Sequence, residues 1–443
     1  MDVQTPSVTL LSLPNELLAL IASAGQNHSR VRDSLPEPTS ELALSHVSRR
    51  LRRVMIGSPE LWTVVEVDLS FEGSVEIFRL YLERSHNLPL AVALQHLSVI
   101  TASAQRELVT KQLSQLVLHI NRISWLRIVL QEWGGDLLLA PFRDLAAPIL
   151  QHLEVVNLID YYHWDPIPLF LAGAPRMQFL KLYDQKLQLP APQWTSTLTH
   201  LELRRYYRLA DLYDGSKSFD KVLAHCPSLI YLYLDMEWAP LDHQVQIPSL
   251  QTLHITTSEY YDLLETINIF DTPSLTEFTI MGVHGIDIVE FFSSTSLPHA
   301  SFPALASLCF MKNDRTHHCE HNDTTLSQTP LNPFQLFPAL SSLSLIDVCF
   351  TSHIVKCVVA PTSTTCPVLQ TIALSTKTAP EDVRSAVLDA MDSYIQHGRP
   401  FPTLRLSPAL ACSEDWQKHG IAVEKFDPTE VLQIFLASDL QYA

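Results

Sequence analysis

The sequence predicts an α/β protein in which a short all-α module precedes an irregular solenoid of parallel strands. Apolar residues recur at helical spacing near the N-terminus, and one short apolar pattern returns many times along the rest of the chain. The placement of proline relative to that pattern is a third, independent observation. We therefore expect a helical module over residues 1–62, a linking segment over 63–122, the solenoid over 123–400 and a C-terminal cap over 401–443.

The first helix is predicted near the N-terminus. Its apolar residues, at helical spacing, are Leu13, Leu17, Leu20 and Ile21. Pro14 fixes φ at the first turn, where the N–H that proline lacks would have no intrahelical partner. A module with so few apolar residues buries little surface by itself, so we expect a partner to cover part of its apolar face.

A second helix is predicted from about Glu41 to Met55. Its apolar stripe would consist of Leu44, Val47, Leu51 and Val54, with arginines around the remaining surface. Between the two helices, residues 26–40 are rich in Ser, Arg, Pro and Glu, and this composition predicts a polar surface loop.

One pattern recurs from about residue 123 onward: an apolar residue, two variable residues, Leu or a similar residue, one variable residue and a further apolar residue. Its first positions are Ile123, Leu150, Met177, Leu198, Leu229, Leu250, Leu275, Leu305, Leu340 and Leu369. This is the LxxLxL core of a leucine-rich repeat, and most of the steps lie in or near the range of about 20–29 residues expected for it. The asparagine or cysteine that usually follows is mostly missing, so the repeats are degenerate.

Proline supports the same register. A proline stands two residues before the first apolar position at Pro148, Pro175, Pro227, Pro248, Pro273, Pro303, Pro338 and Pro367. Proline ends a preceding helix and favours extended geometry in the residue before it, so this placement is typical of the start of a short strand.

The N-terminal module resembles an F-box. The resemblance rests on Leu-Pro at 13–14, Val-Ser-Arg at 47–49 and Leu-Trp at 61–62, in that order. An F-box followed by degenerate leucine-rich repeats is similar to the organisation of many fungal F-box proteins. The resemblance implies binding to the Skp adaptor subunit of a ubiquitin ligase and, through it, to a cullin. The adaptor-binding residues that it implies are Leu13, Pro14, Leu17, Leu20, Ile21, Val47, Leu51, Leu61 and Trp62.

The predicted function is substrate recognition in a Skp/cullin/F-box ubiquitin ligase, with the repeats holding an unknown protein substrate. The alternative is a leucine-rich-repeat scaffold that acts outside any ubiquitin ligase. Strand positions between the inward leucines are predicted to face outward and to contact the substrate. The candidate substrate-binding residues are Tyr183, Arg204, Tyr231 and Tyr233. Burial of these tyrosines beneath a loop such as residues 206–219 is the competing interpretation.

Composition and motifs argue against several other classes. The net charge is −17 and arises from residues 63–443, which disfavours nucleic acids and anionic membranes as partners. The sequence contains no nucleophile elbow, phosphate-binding loop or dinucleotide-binding motif, so we expect no enzyme activity and no cofactor. Residues 317–321 offer closely spaced His and Cys side chains, but contiguous ligands suit a tetrahedral metal site poorly. We expect a solvated loop there and no metal.

The seven cysteines are scattered and odd in number, which favours reduced thiols. No basic residue precedes Arg30, and Pro14 interrupts the first apolar run, so we expect no signal peptide. The sequence has no apolar run of about 18 residues. These observations predict a protein of the cytoplasm, the nucleus or both, without a membrane partner.

Overall fold

The computed structural model describes residues 10–29, 40–69, 73–96, 103–130, 135–157, 169–183, 195–204, 223–236, 245–257, 270–283, 302–312, 337–348, 351–359, 369–376, 380–398, 400–412 and 421–429, together with residues 267, 285, 288 and 416. The chain divides into two compact units. Residues 1–194 form the N-terminal unit and residues 195–443 form the C-terminal unit.

The N-terminal unit begins with a helical module. The module consists of α1 (Asn15–Ser29), α2 (Ser40–Val47), α3 (Arg49–Ile56) and a 3-10 turn at Pro59–Trp62. Three further helices follow: α4 (Ser74–Arg84), α5 (Ser103–Val117) and α6 (Gly135–Leu139). No helix among the described residues is long and apolar enough to cross a membrane.

Ser48 separates α2 from α3, so the single helix predicted over residues 41–55 is wrong. The backbone of Ser48 is extended, and its hydroxyl oxygen accepts a hydrogen bond from the Leu51 N–H at 3.1 Å. This is an N-cap, which satisfies an amide that has no partner within the helix. The break turns Val47 away from the buried stripe to which Leu51 and Val54 belong.

The first part of the segment predicted as a loop over residues 26–40 is helical, because α1 continues to Ser29. Gln26 is buried, and its side-chain amide donates a hydrogen bond to the Leu61 carbonyl oxygen at 2.7 Å. A glutamine with a satisfied amide can therefore extend the buried side of α1. Residues 30–39 lie outside the described part of the chain.

Five parallel strands form the sheet of the N-terminal unit. They are β1 (Val64–Asp68), β2 (Leu90–His96), β3 (Ile123–Leu130), β4 (His152–Asn157) and β5 (Phe179–Tyr183). Each strand pairs with the next one along the chain. The sheet thus begins with two strands of the segment predicted to link the module to the repeats.

The C-terminal unit contains a second run of parallel strands. They are β6 (His200–Arg204), β7 (Tyr231–Met236), β9 (Thr252–Thr257), β11 (Glu277–Met281), β12 (Ser307–Met311), β13 (Ser342–Ile346), β14 (Thr371–Ser375), β15 (Thr403–Leu406) and β16 (Val423–Lys425). The short strands β8 (Val245–Gln246) and β10 (Phe270–Asp271) pair with each other. The described helices are α7 (Thr351–Val359), α8 (Pro380–Gln396) and α9 (Pro408–Ala411).

The repeat register predicted from the LxxLxL pattern is confirmed. All ten first positions are buried, and in nine of them the strand begins two residues later, as β9 does after Leu250. The inward residues align across neighbouring strands, for example Leu232 with Leu253 and Leu253 with Phe278. Each such side chain contributes about 1.5–3 kcal/mol on burial, so stacked repeats share a core that one repeat alone could not form.

The seven described prolines of this series occupy the second position of a tight turn before their strands. The N–H of Leu250 donates to the Ile247 carbonyl oxygen at 3.2 Å, with Pro248 between them. Proline suits this position because its fixed φ matches the turn. The residue before each described proline is buried, so every such repeat has one more core position than the pattern predicted. Pro367 lies outside the described residues.

Candidate functional site

The helical module has its own buried core, centred on Trp62. The indole N–H of Trp62 donates to the Met55 carbonyl oxygen at 2.8 Å, and its ring meets the ring of Tyr81 edge-on at 5.0 Å. The Arg84 guanidinium lies 4.3 Å from the centre of the Trp62 ring. Since Tyr81 and Arg84 belong to α4, these contacts fix the module to the rest of the N-terminal unit.

A buried carboxylate reinforces this attachment. Glu41 of α2 is fully buried and accepts a hydrogen bond from the Tyr81 hydroxyl group. A buried carboxylate is costly unless it is hydrogen-bonded, so Glu41 and Tyr81 depend on each other.

Three of the predicted adaptor-binding residues belong to this core. Leu51, Leu61 and Trp62 are buried. The sequence prediction assigned all nine residues to the binding surface. In the structure, these three pack inside the module and stabilise it.

The other predicted residues on α1 are exposed. The exposed fractions are 44% for Leu17, 64% for Leu20 and 43% for Ile21. These residues lie three and four positions apart and so share one face of the helix, while Leu18 and Ala22 pack into the core on another face. The amphipathic pattern therefore buries one apolar stripe and leaves a second one in contact with solvent.

Hydrogen bonds place the α2–α3 junction beside the start of α1. The Arg50 guanidinium donates to the Leu13 carbonyl oxygen at 2.7 Å and to the Asn15 side-chain oxygen at 3.1 Å. Val47, which is 68% exposed, is the last residue of α2 and stands three positions before Arg50. We define the module patch as the apolar residues Leu13, Pro14, Leu17, Leu20, Ile21 and Val47, of which Leu13 is partly exposed and the other five are exposed.

The outer face of the sheet in the N-terminal unit carries an aromatic row. Trp125 of β3 aligns with His152 of β4, and His152 aligns with Phe179 of β5. The ring centres of Trp125 and His152 are 5.5 Å apart, and those of His152 and Phe179 are 3.9 Å apart with nearly parallel planes. All three side chains are partly exposed, so the row is a stacked surface in contact with solvent.

A charged row runs beside the aromatic one. Arg127, Glu154 and Lys181 align across the same three strands. A Glu154 carboxylate oxygen lies 2.7 Å from His152 Nε2, and the other lies 3.5 Å from Arg127 Nε. Burial alone would raise the pKa of Glu154, but the hydrogen bond with His152 and the charges of Lys181 and Arg127 outweigh burial and lower the pKa. Glu154 is therefore ionised, and the positive charges of Lys181 and Arg127 compensate its negative charge.

The next row of outward side chains on these strands is shielded from solvent. Val129, Val156 and Tyr183 are buried, although all three point away from the leucine core. The prediction that Tyr183 faces solvent is therefore wrong. Its aromatic ring lies in an apolar row at the C-terminal ends of the strands.

The other three candidate residues, Arg204, Tyr231 and Tyr233, lie close together in the C-terminal unit, and two of them are buried. The Arg204 guanidinium lies 4.2 Å from the centre of the Tyr233 ring and pairs with Glu202 at 3.1 Å. Arg204 is only 3% exposed and Tyr233 only 2%, so the prediction that both face solvent is wrong. The Tyr233 hydroxyl is hydrogen-bonded to Thr256 at 3.0 Å. These contacts are typical of buried polar side chains whose hydrogen-bonding groups have partners.

Tyr231 keeps partial exposure in the same unit. Its ring stacks on His200 with ring centres 5.6 Å apart, and it lies 5.2 Å from the His254 ring. Burial, together with the charge of Arg204, lowers the pKa of His254 to about 4. His254 is thus neutral at pH 7, and Tyr231 is the one predicted substrate residue of this group that a partner could touch.

Part of the outer face of the strands in the C-terminal unit forms a second core. Its buried cluster consists of Tyr233, Cys309, Met311, Ile346, Ala373 and Phe426. Met311 and Ile346 are direct neighbours in the strand register. Burial raises the pKa of the Cys309 thiol to about 12, which keeps the thiol neutral. The residues of this cluster can stabilise the fold but are not accessible for binding.

Two sequence predictions fall outside the described residues, namely the His-rich segment 317–321 and the loop 206–219. In the described part of the chain, no group of three or more His, Cys, Asp or Glu side chains could hold a metal ion.

Sequence reasoning missed four outward residues of the N-terminal unit: Trp125, Arg127, His152 and Glu154. The signal was present, because these residues occupy the variable positions of the first two LxxLxL units. The same alternation that selected Tyr231 and Tyr233 would have identified them.

Comparison with known proteins gives one family match. Residues 138–358 match the family model described as "FBD-associated F-box protein At5g56370, LRR repeats". No curated protein sequence matches this chain. Among solved structures, an internalin (inlF) from Listeria monocytogenes str. 4b F2365 is similar, with 11% identity over 72% of this chain and 84% of the internalin chain and a TM-score of 0.27. A TM-score this low does not indicate a shared overall arrangement. The repeats are thus similar to those of an F-box-associated family.

Proposed function

We propose that this protein is the substrate-recognition adaptor of a Skp/cullin/F-box ubiquitin ligase. The module patch would bind the Skp adaptor, and the repeats would bind a protein substrate. The observation that carries the proposal is an exposed apolar surface on a module that also has a closed core of Leu18, Leu51, Leu61 and Trp62, in a chain whose repeats match an F-box-associated family.

The physical argument for a partner on the module patch is its exposed apolar area. Leu17, Leu20, Ile21 and Val47 each keep more than two fifths of their surface in water, although the core beneath them is closed. Clustered exposed apolar side chains mark interaction sites in soluble proteins, because covering them gains free energy. The arginines at the start of α3 supply a polar rim beside the patch.

The proposal assigns no catalytic residue to this chain. Its contribution to ubiquitin transfer is proximity, because holding the substrate and the ligase together raises the effective concentration of a substrate lysine near the activated ubiquitin.

The test uses Leu20→Glu combined with Ile21→Glu in the full chain. Both side chains are exposed, so the variant should fold, while a carboxylate at the centre of the interface should weaken Skp-adaptor binding by roughly 100-fold, or about 3 kcal/mol. The matched control is Leu118→Glu, an exposed leucine of the same unit that lies outside the module patch. Calorimetric titration of each variant with the purified Skp adaptor measures the effect. Equal binding by the wild type and the double variant would favour the alternative, a repeat scaffold outside any ligase.

A further inference from the structure

We propose that Arg50 is a positioning residue for the module patch. It holds the start of α1 and the junction between α2 and α3 in one fixed arrangement, so that a partner contacts both as a single surface. That this partner is the Skp adaptor rests on the proposed function. Arg50 thus shapes the binding surface through Leu13 and Asn15, which it contacts within the module.

The module patch consists of two parts that are distant in sequence. Leu17, Leu20 and Ile21 lie on α1, whereas Val47 is the last residue of α2. All four side chains are exposed, so one partner can cover both parts. If the placement of the two parts is fixed beforehand, binding need not order them and costs less conformational entropy. The contacts that join α1 to the α2–α3 junction therefore affect the affinity of the patch.

Arg50 makes contacts that join these two parts. Its Nη2 donates to the Leu13 carbonyl oxygen at 2.7 Å and to Asn15 Oδ1 at 3.1 Å, and its Nε lies 3.3 Å from the same Asn15 oxygen. Asn15 is the first residue of α1, and Leu13 stands two positions before it. The guanidinium group is planar, with donors in fixed directions. Its bonds to a main-chain and a side-chain acceptor therefore restrict both the distance and the orientation of α3 relative to the start of α1.

Two further hydrogen bonds fix the junction from which Arg50 extends. The Ser48 hydroxyl oxygen caps α3, and Arg52 Nε donates to the Ser45 carbonyl oxygen at 3.0 Å. The Ser45 carbonyl belongs to the last turn of α2, where carbonyl groups have no partner within the helix. The connection between α2 and α3 is thus stabilised on both sides, and Val47 keeps a constant placement relative to Arg50.

The fold does not depend on the contacts of Arg50. Arg50 and Asn15 are both exposed, and polar pairs at the surface contribute little to the free energy of unfolding. The buried residues Leu51, Leu61 and Trp62 form the module core beneath them. Removal of the Arg50 side chain should therefore leave the module folded while the two parts of the patch become free to move relative to each other.

The test measures binding of the purified Skp adaptor to variants of the full chain by calorimetric titration, and the melting temperature of each variant. Arg50→Ala should weaken binding roughly tenfold and leave the melting temperature nearly unchanged. Asn15→Ala should weaken binding by a smaller factor, because the bond from Arg50 to the Leu13 carbonyl oxygen remains. Asn15→Asp keeps an acceptor oxygen for Arg50 and should bind the Skp adaptor as the wild type does.

Arg79→Ala is the matched control. Arg79 is an exposed arginine of α4 that also pairs with two side chains of its unit, Glu76 and Glu83, each at 3.5 Å. It lies outside the module patch, so its removal should leave Skp-adaptor binding unchanged. A loss of binding in this control as large as that in Arg50→Ala would overturn the inference, because any exposed arginine of the unit would then have the same effect.

The double variant Asn15→Ala with Arg50→Ala separates positioning from direct contact. If Arg50 acts through Asn15, the double variant should bind no more weakly than Arg50→Ala alone. Additive losses would mean that Arg50 or Asn15 contacts the adaptor itself, and would overturn the inference. So would a large fall in the melting temperature of Arg50→Ala, or binding by Asn15→Asp as weak as that by Asn15→Ala.

The wild type separates this inference from the proposed function. If the wild type binds the Skp adaptor and Arg50→Ala binds it equally well, the positioning role is refuted and the proposed function stands. If the wild type does not bind the Skp adaptor, the proposed function is refuted, and the positioning role with it.

Discussion

The middle outward row of the strands follows the same alternation in both units, but its exposure differs between them. In the N-terminal unit, this row consists of Arg127, Glu154 and Lys181, which solvent reaches. In the C-terminal unit, Tyr233, Cys309 and Ala373 occupy the equivalent row and are buried in a second core. Alternation thus determines the direction in which a side chain points, whereas the neighbours around it determine whether a partner can reach it.

The largest expected effect is a difference in stability between two outward aromatic residues, one buried and one partly exposed. Tyr233→Ala empties a buried position and should lower the free energy of unfolding of the C-terminal unit by about 3–5 kcal/mol. Phe179→Ala removes a partly exposed ring and should cost its unit only about 1 kcal/mol. Native-state hydrogen exchange, read separately on β7 and β5, measures both values.

Tyr233→Phe is the control for this pair. It keeps the ring and removes only the hydrogen bond to Thr256, so about 1 kcal/mol should be lost. Similar losses of unfolding free energy for Tyr233→Ala and Phe179→Ala would show that these two positions do not differ in burial.

A smaller effect concerns the acid stability of the C-terminal unit. The pKa of His254 is lowered to about 4 in the folded state, below its unfolded value of about 6.5. Between these values the unfolded chain binds a proton that the folded chain excludes, so stability falls as the pH decreases from about 6.5 to about 4, by up to about 3 kcal/mol. Urea unfolding at a series of pH values should show this slope, and His254→Gln should reduce it. An unchanged slope in the variant would assign the acid sensitivity to other groups.

The smallest effect concerns the charged row of the N-terminal unit. The pKa of Glu154 is lowered, so its stabilising contribution is present above the unfolded pKa and is lost as the pH falls through the folded one. Glu154→Gln should therefore cost about 1 kcal/mol at pH 7, and the difference from the wild type should vanish in acid. A difference that stays constant with pH would mean that Glu154 stabilises the sheet without its charge. Glu424→Gln, at an exposed carboxylate of β16, is the control.

Much of the fold was predictable because the repeat is periodic. The buried leucines, such as Leu250 and Leu275, recur with a proline two residues before them, and both signals are local in sequence. The break at Ser48 was also readable, since serine is a preferred N-cap.

The candidate site was less predictable, because accessibility depends on residues that are distant in sequence. Tyr233 shares its buried cluster with Phe426, and no local pattern connects these two positions. Leu51 and Leu61 belong to the F-box-like signature, yet their role in the module is packing. Only the three-dimensional arrangement separates them from Leu17 and Leu20.

Hydroxyl-radical footprinting of the full chain, alone and with the Skp adaptor, tests the account most directly. In the free protein, Trp125, Phe179, Leu20 and Ile21 should be oxidised readily, while Tyr233 and Met311 should be protected despite the high intrinsic reactivity of methionine. Adding the Skp adaptor should protect Leu20 and Ile21 and leave Trp125 and Phe179 reactive. Rapid oxidation of Met311 and Tyr233, or no protection of Leu20 and Ile21 by a saturating amount of the Skp adaptor, would contradict the account.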